Sequence, residues 1–210
     1  WIENMKENPK SEKLQKVLAN QGLGSRREIE GWIDSKRIYV NGKLAKLGDR
    51  VVMSDEIKVD GRLQKNKAKT HRYLLYNKPA GEICSQRDQK NRKRVFDTLP
   101  KLRGQRWISV GRLDVNTSGL LLFTTDGLLA NKLMHPSSRI EREYAVRVLG
   151  DVQPSCIAAM KSGVVIDNTL MKFSDIQKSS TRESDKRANH WFYVVLMEGR
   201  NREVRKLWES

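Results

Sequence analysis

The sequence predicts an α+β protein in two parts: a small module of two helices and a hairpin, then a larger domain whose mostly antiparallel, mixed sheet is flanked by helices. Three observations carry this. Apolar residues repeat at helical spacing near the start, strand-like segments outnumber helical ones farther on, and a basic stretch without periodicity, Lys65 to Lys69, separates the two. A length of 210 residues suits one or two domains.

Taken in order, residues 1–10 read as a disordered leader, since they are polar and patternless. The module covers residues 11–61. Leu14, Val17 and Leu18 follow helical spacing. Ser25-Arg26-Arg27-Glu28 forms a capping box, and Ile29, Trp32 and Ile33 follow on one helical face. Ile38-Tyr39-Val40 then runs into Asn41-Gly42, a strong hairpin signal, and strands continue to Asp60-Gly61. Residues 62–70 read as a linker.

The larger domain covers residues 71–210. Strands are expected from Arg72 to Tyr76, Trp107 to Val110, Tyr144 to Leu149 and Trp191 to Met197. Asp126 is placed to cap a helix carrying Leu128, Leu129 and Leu133. Ser174 to Asn189 is polar and reads as a long loop. A last helix spans Arg202 to Trp208, with Val204, Leu207 and Trp208 on its apolar face.

The formal net charge of +16 and pI near 10.0 point to a polyanionic partner. The excess is spread as +6 over residues 1–70, +8 over 71–150 and +2 over 151–210. It forms no single basic tail, so a ligand touched over a wide surface, such as a folded RNA, is the simplest partner. The bland alternative is that the charge merely keeps the chain soluble. Two cysteines, Cys84 and Cys156, exclude a disulfide framework and fit a reducing cytoplasm. Three isolated histidines argue against a metal site. The longest apolar runs, such as Gly119 to Phe123, are too short to cross a bilayer, and the first residues do not resemble a signal peptide.

Arg26 and Arg27 occupy a helix's first turn, where positive charge opposes the dipole, and a phosphate there would account for them. Lys13 and Lys16, three apart on the preceding helix, extend the patch; the competing reading is a solvated charged face. Arg87, Lys90, Arg92, Lys93 and Arg94 read as a mobile basic loop. Asp114 lies in a polar loop between two core strands, where a rigid scaffold displays chemistry, although an Asp there can also simply close an Asx turn. At about 100° per residue, Arg205 falls at the edge of the last helix's apolar face, whereas Arg202 points away. A half-buried guanidinium calls for a carboxylate. Tyr144 shares a strand face with Val146 and Val148, so its ring is inside, either as core packing or as a site residue.

Glu12 to Ala19, Gly24 to Glu30, Val40-Asn41-Gly42-Lys43 and Gly48-Asp49 together resemble the S4-type RNA-binding domain. Gly111-Arg112-Leu113-Asp114, continuing to Gly127, resembles the signature of the pseudouridine synthases, in particular their bacterial small- and large-subunit ribosomal RNA branch. Asn77-Lys78-Pro79-Ala80-Gly81 resembles that branch's first motif, Arg142 to Val146 its tyrosine motif, and Glu198 to Trp208 its third. The resemblance implies isomerisation of a uridine in ribosomal RNA, expected to be the large-subunit 23S RNA. It implies that Asp114 initiates cleavage of the N1–C1′ bond, that Arg205 pairs with it, and that Tyr144 packs on the target base. Arg112 would fill the gap left by the flipped base. Lys78, Arg92, Arg200 and Arg202 join Lys13, Lys16, Arg26 and Arg27 as residues expected to hold RNA. The isomerisation involves no net redox change or hydrolysis, so no cofactor or metal is expected. A monomer is expected. Members of the branch continue past the third motif with further strands, so a catalytic domain truncated after Trp208 is also expected.

Two other classes compete. A non-catalytic RNA-binding or ribosome-assembly protein would not need Asp114, Tyr144 and Arg205 together. A glycoside hydrolase would need a second acid beside Asp114, and the sequence offers none there.

Overall fold

The computed structural model describes residues 11–64, 70–179 and 189–210. The expected leader and the lysine-rich part of the expected linker lie outside the described residues. The chain packs as two compact units, the first reaching Ala130 and the second running Asn131–Ser210.

The first unit opens with β1 (Glu12–Lys13), α1 (Leu14–Asn20), α2 (Arg26–Asp34), β2 (Ile38–Val40), β3 (Lys43–Leu44), β4 (Arg50–Val51), β5 (Ile57–Val59) and β6 (Arg62–Gln64). Lys13 therefore sits in a strand paired with β4, at the N-cap of α1 and not on the helix. The capping box is present in full: the Glu28 amide donates to Ser25 Oγ at 3.2 Å, and the Ser25 amide to Glu28 Oε2 at 2.7 Å. β2, β3, β5 and β6 form an antiparallel sheet in the order β3-β2-β5-β6. Its tight turn uses left-handed backbone at Asn41 (φ 49°) and Gly42 (φ 78°), the pair that matches the twist of flanking strands. β6 shows that pairing runs three residues beyond the boundary at Gly61. Leu14, Leu18, Ile29, Ile33, Ile38, Val51 and Ile57 close the module's core.

The unit continues with β7 (Tyr73–Lys78), β8 (Ile108–Val110) and β9 (Gly119–Thr124) and ends within α3 (Gly127–Met134). The three strands form an antiparallel sheet in the order β7-β9-β8, and the register places Leu74 opposite Phe123 and Tyr76 opposite Leu121. That face packs on Val95, Phe96 and Leu99, with Phe123 edge-on to Tyr76 and Phe96 at 6.1 and 5.4 Å. The run Gly119 to Phe123 is buried only at alternate residues; Leu120 stands on the opposite, exposed face. Asp126 Oδ1 accepts from the Leu128 and Leu129 amides at 2.8 and 3.1 Å, which is the expected cap.

The second unit contains β10 (Arg142–Leu149), α4 (Pro154–Ser162), β11 (Val164–Ile166), β12 (Thr169–Met171), β13 (Asp175–Lys178), β14 (Asn189–Leu196) and α5 (Glu203–Glu209). β14 lies between β10 and β13, antiparallel to both. β13 corrects the expectation of one long loop from Ser174 to Asn189. Its only apolar residue, Ile176, is buried, and its polar neighbours face outward, so the segment reads as a loop although it is an edge strand. Residues 180–188 of that expected loop lie outside the described residues. Met160, Phe173, Phe192, Val194 and Leu207 form this unit's core. Among the described residues, no helix is long and apolar enough to cross a membrane.

Candidate active site

The loop bearing Asp114 connects β8 to β9, and its shape is held by a buried ammonium. Lys78 ends β7 with no solvent exposure. Its Nζ donates to the main-chain oxygens of Thr117 (2.8 Å), Pro79 (3.0 Å), Asp114 (3.1 Å) and Val115 (3.3 Å). The loop is tied further by the Gly81 amide to Val115 O at 2.7 Å and the Leu113 amide to Cys84 Sγ at 3.4 Å. Thr117's amide closes a turn on Asp114 O at 3.0 Å. Asp114 is half-buried and Arg112 exposed.

This corrects the expectation that Lys78 binds RNA, because a side chain with no exposure cannot reach a phosphate. The signal was present: Leu74, Tyr76 and Lys78 alternate onto the buried face. Beside it lies a second buried charge that sequence reasoning missed. Glu82 accepts from Tyr76 Oη at 2.7 Å and pairs with Lys93 Nζ at 2.8 Å. Burial pushes the Glu82 carboxyl up, but bonds from Lys93 and Tyr76, with the charges of Lys93 and Lys78, hold it below its ordinary value.

The basic stretch Arg87–Arg94, expected to be a mobile loop, carries a set of ion pairs. Asp88 grips Arg92 through its amide, Nε and Nη2, at 2.8, 3.2 and 2.7 Å, and Arg92's hydrogen bonds lower the Asp88 carboxyl to about 2. Lys93 is spent on Glu82, Arg94 on Asp97, and Arg87 on Glu28.

In the second unit, β10 turns Arg142, Tyr144, Val146 and Val148 inward by strand alternation. Tyr144 is half-buried against the core. Arg142 clamps three main-chain oxygens, those of Leu133, Ile140 and Met197, each at 3.1 Å. The turn before α5 is fixed by the buried Glu203, whose Oε2 accepts from the Arg200 amide at 2.9 Å. Arg205 is half-buried on α5, whereas Arg202, expected to begin the helix, is its exposed N-cap in left-handed backbone (φ 55°). Arg200 is engaged by Glu198 at 2.9 Å and Leu170 O at 3.1 Å. Arg202 lies 3.5 Å from Glu209.

In the small module Lys13, Arg26 and Arg27 are exposed, and Lys16 pairs with Glu12. Asp114 thus belongs to the first unit, and Tyr144 and Arg205 to the second.

Comparison with known proteins identifies the family. Residues 72–210, two thirds of the chain, match the model described as RNA pseudouridylate synthase, and residues 12–57 match the S4 domain. The chain belongs to the RNA pseudouridylate synthase family. It is similar to the ribosomal large subunit pseudouridine synthase B of Pseudomonas aeruginosa, with 55% identity over 205 residues covering 96% of this chain and 52% of that protein. The protein of that name from Vibrio vulnificus is 54% identical, with 95% of this chain and 62% of the relative covered. The one from Escherichia coli K12 is also 54% identical, with coverage of 95% and 69%. The chain therefore spans about half to two thirds of these relatives' lengths. A solved pseudouridylate synthase shares the fold at TM-score 0.59 and 23% identity, covering 94% of this chain and 82% of the other.

Proposed function

We propose that this pseudouridylate synthase family member isomerises a specific uridine of ribosomal RNA to pseudouridine, with the large-subunit 23S RNA as substrate. The observation that carries the reading is the Asp114 loop, a carboxylate-bearing turn fixed between two core strands by a fully buried lysine. Such preorganisation suits a residue that must meet a reacting atom at a fixed distance.

In this proposal Asp114 initiates breakage of the uridine N1–C1′ bond and its re-formation as C5–C1′. C5 loses its proton and N1 gains one, so the product is an isomer. Arg205 is the further site residue that the resemblance of the third motif implies. Tyr144 packs on the target base. The base must leave its stack to be reached, and the exposed Arg112 fills the gap. Arg26, Arg27 and Lys13 of the small module hold phosphates, and Arg202 reaches the RNA near the third motif. The protein acts as a monomer in the cytoplasm.

The test is incubation of the chain with total ribosomal RNA followed by mapping of new pseudouridines. One or a few new sites in the 23S RNA are expected. None above an enzyme-free control overturns the reading.

A further inference from the structure

At three successive residues, Leu113, Asp114 and Val115, the loop that bears the carboxylate is fastened to Lys78 and the segment after it. The Gly81 amide donates to Val115 O at 2.7 Å. Asp114 O accepts from Lys78 Nζ at 3.1 Å and from the Thr117 amide at 3.0 Å. Ahead of the carboxylate, the Leu113 amide donates to Cys84 Sγ at 3.4 Å. This last tie differs in kind, because its acceptor is a side-chain sulfur. The chain reaches it through Gly111, whose left-handed backbone (φ 84°) glycine adopts without strain, and through the exposed Arg112. Cys84 thus holds the chain between a permissive glycine and Asp114.

Cys84 is itself well placed. Its half-buried side chain packs with Leu74 and Tyr76 against the cluster of Val95, Leu99, Leu121 and Phe123. Its neighbour Ile83 donates its amide to Lys93 O at 2.9 Å and accepts from the Val95 amide at 3.1 Å. Glu82, one residue earlier, is anchored by Tyr76 Oη at 2.7 Å and Lys93 Nζ at 2.8 Å. A sulfur fixed from this many sides has the defined position that support of a reacting group requires. Packing alone accounts for a half-buried cysteine, but not for the amide donated to it.

We propose that Cys84 is a positioning residue for the isomerisation: by accepting from the Leu113 amide, its sulfur sets where the Asp114 carboxylate meets the target uridine. The proposal rests on the reading of Asp114 as the reacting carboxylate. Cys84 touches no substrate and moves no proton. Its effect is on geometry, so it belongs to turnover and not to RNA affinity.

The test compares Cys84→Val, which keeps an apolar side chain and removes the acceptor, with Cys84→Ser, which keeps an acceptor and gives up apolar surface. Tritium release from ribosomal RNA labelled at uridine C5 gives kcat and KM, and RNA affinity and melting temperature are measured beside it. Cys84→Val should lower kcat about tenfold, a fraction of the roughly 100-fold that a misplacement of ~1 Å can cost, and leave KM and affinity within about twofold. Cys84→Ser should recover most of that loss. A purely structural cysteine predicts the opposite order, with Cys84→Val active and Cys84→Ser impaired. Cys84→Ser no more active than Cys84→Val, or a kcat for Cys84→Val within about twofold of the unchanged chain, overturns the proposal. If Cys84→Val melts too low to assay, Cys84→Ala takes its place with the same expectation. Deuterium exchange of the Leu113 amide, followed by nuclear magnetic resonance, reads the tie without turnover: it should quicken about tenfold in Cys84→Val and not in Cys84→Ser. Unchanged exchange in Cys84→Val overturns the tie. Absence of tritium release by the unchanged chain would instead strike the reading of Asp114, and the exchange measurement would still decide the Cys84 contact.

Discussion

Lys78→Met replaces the buried ammonium with an apolar chain of similar length, and four main-chain oxygens lose their common donor. Each buried carbonyl left unpaired costs about 1–3 kcal/mol, but the four share three protons and the loop relaxes, so they do not add in full. A total of about 3–5 kcal/mol is expected, against typical stabilities of about 5–15 kcal/mol. At roughly 2–4 °C per kcal/mol for a chain of this size, the melting temperature should fall by about 6–20 °C. Scanning calorimetry or circular dichroism reads this directly. Because Lys78 has no exposure, the salt dependence of RNA binding by the folded variant, measured well below its melting point, should match the unchanged chain. A melting temperature within about 2 °C of the unchanged chain would refute the cage, and a flatter salt slope would restore Lys78 as a phosphate contact.

Glu82 makes a pH-dependent contribution. Its folded carboxyl lies below the ordinary value, so the stabilisation is complete above the unfolded value and is lost as pH falls through the folded one. Glu82→Gln should therefore lower stability near neutrality and shrink the difference in acid, which urea titrations at several pH values would show. Asp126→Ala removes the acceptor for two amides at the start of α3 and should cost about 1 kcal/mol without changing RNA affinity.

How much of this was legible in the sequence follows the range of the interactions. The Ser25–Glu28 capping box and the Asn41-Gly42 turn are closed within four residues, so their chemistry is written locally. The placing of Tyr144 inward and Arg205 at a helix edge follows from alternation and helical angle alone. The Lys78 cage joins the end of β7 to oxygens 36 to 39 residues away, a closure no local pattern records, and a lysine in a motif reads first as a surface cation. β13 escaped because a polar edge strand with one buried Ile looks like a loop. The basic run Arg87–Arg94 looked free because its partners include Glu28 and Glu82 as well as nearby Asp88 and Asp97.

The most direct test of the account's central claim is tritium release by Asp114→Asn from ribosomal RNA labelled at uridine C5, beside the unchanged chain. The amide keeps the side chain's shape but supplies neither nucleophile nor base, so the variant should fold and bind RNA normally yet release no tritium above background. Measurable release by folded Asp114→Asn, with deamidation back to Asp excluded by mass spectrometry, would contradict the assignment of Asp114.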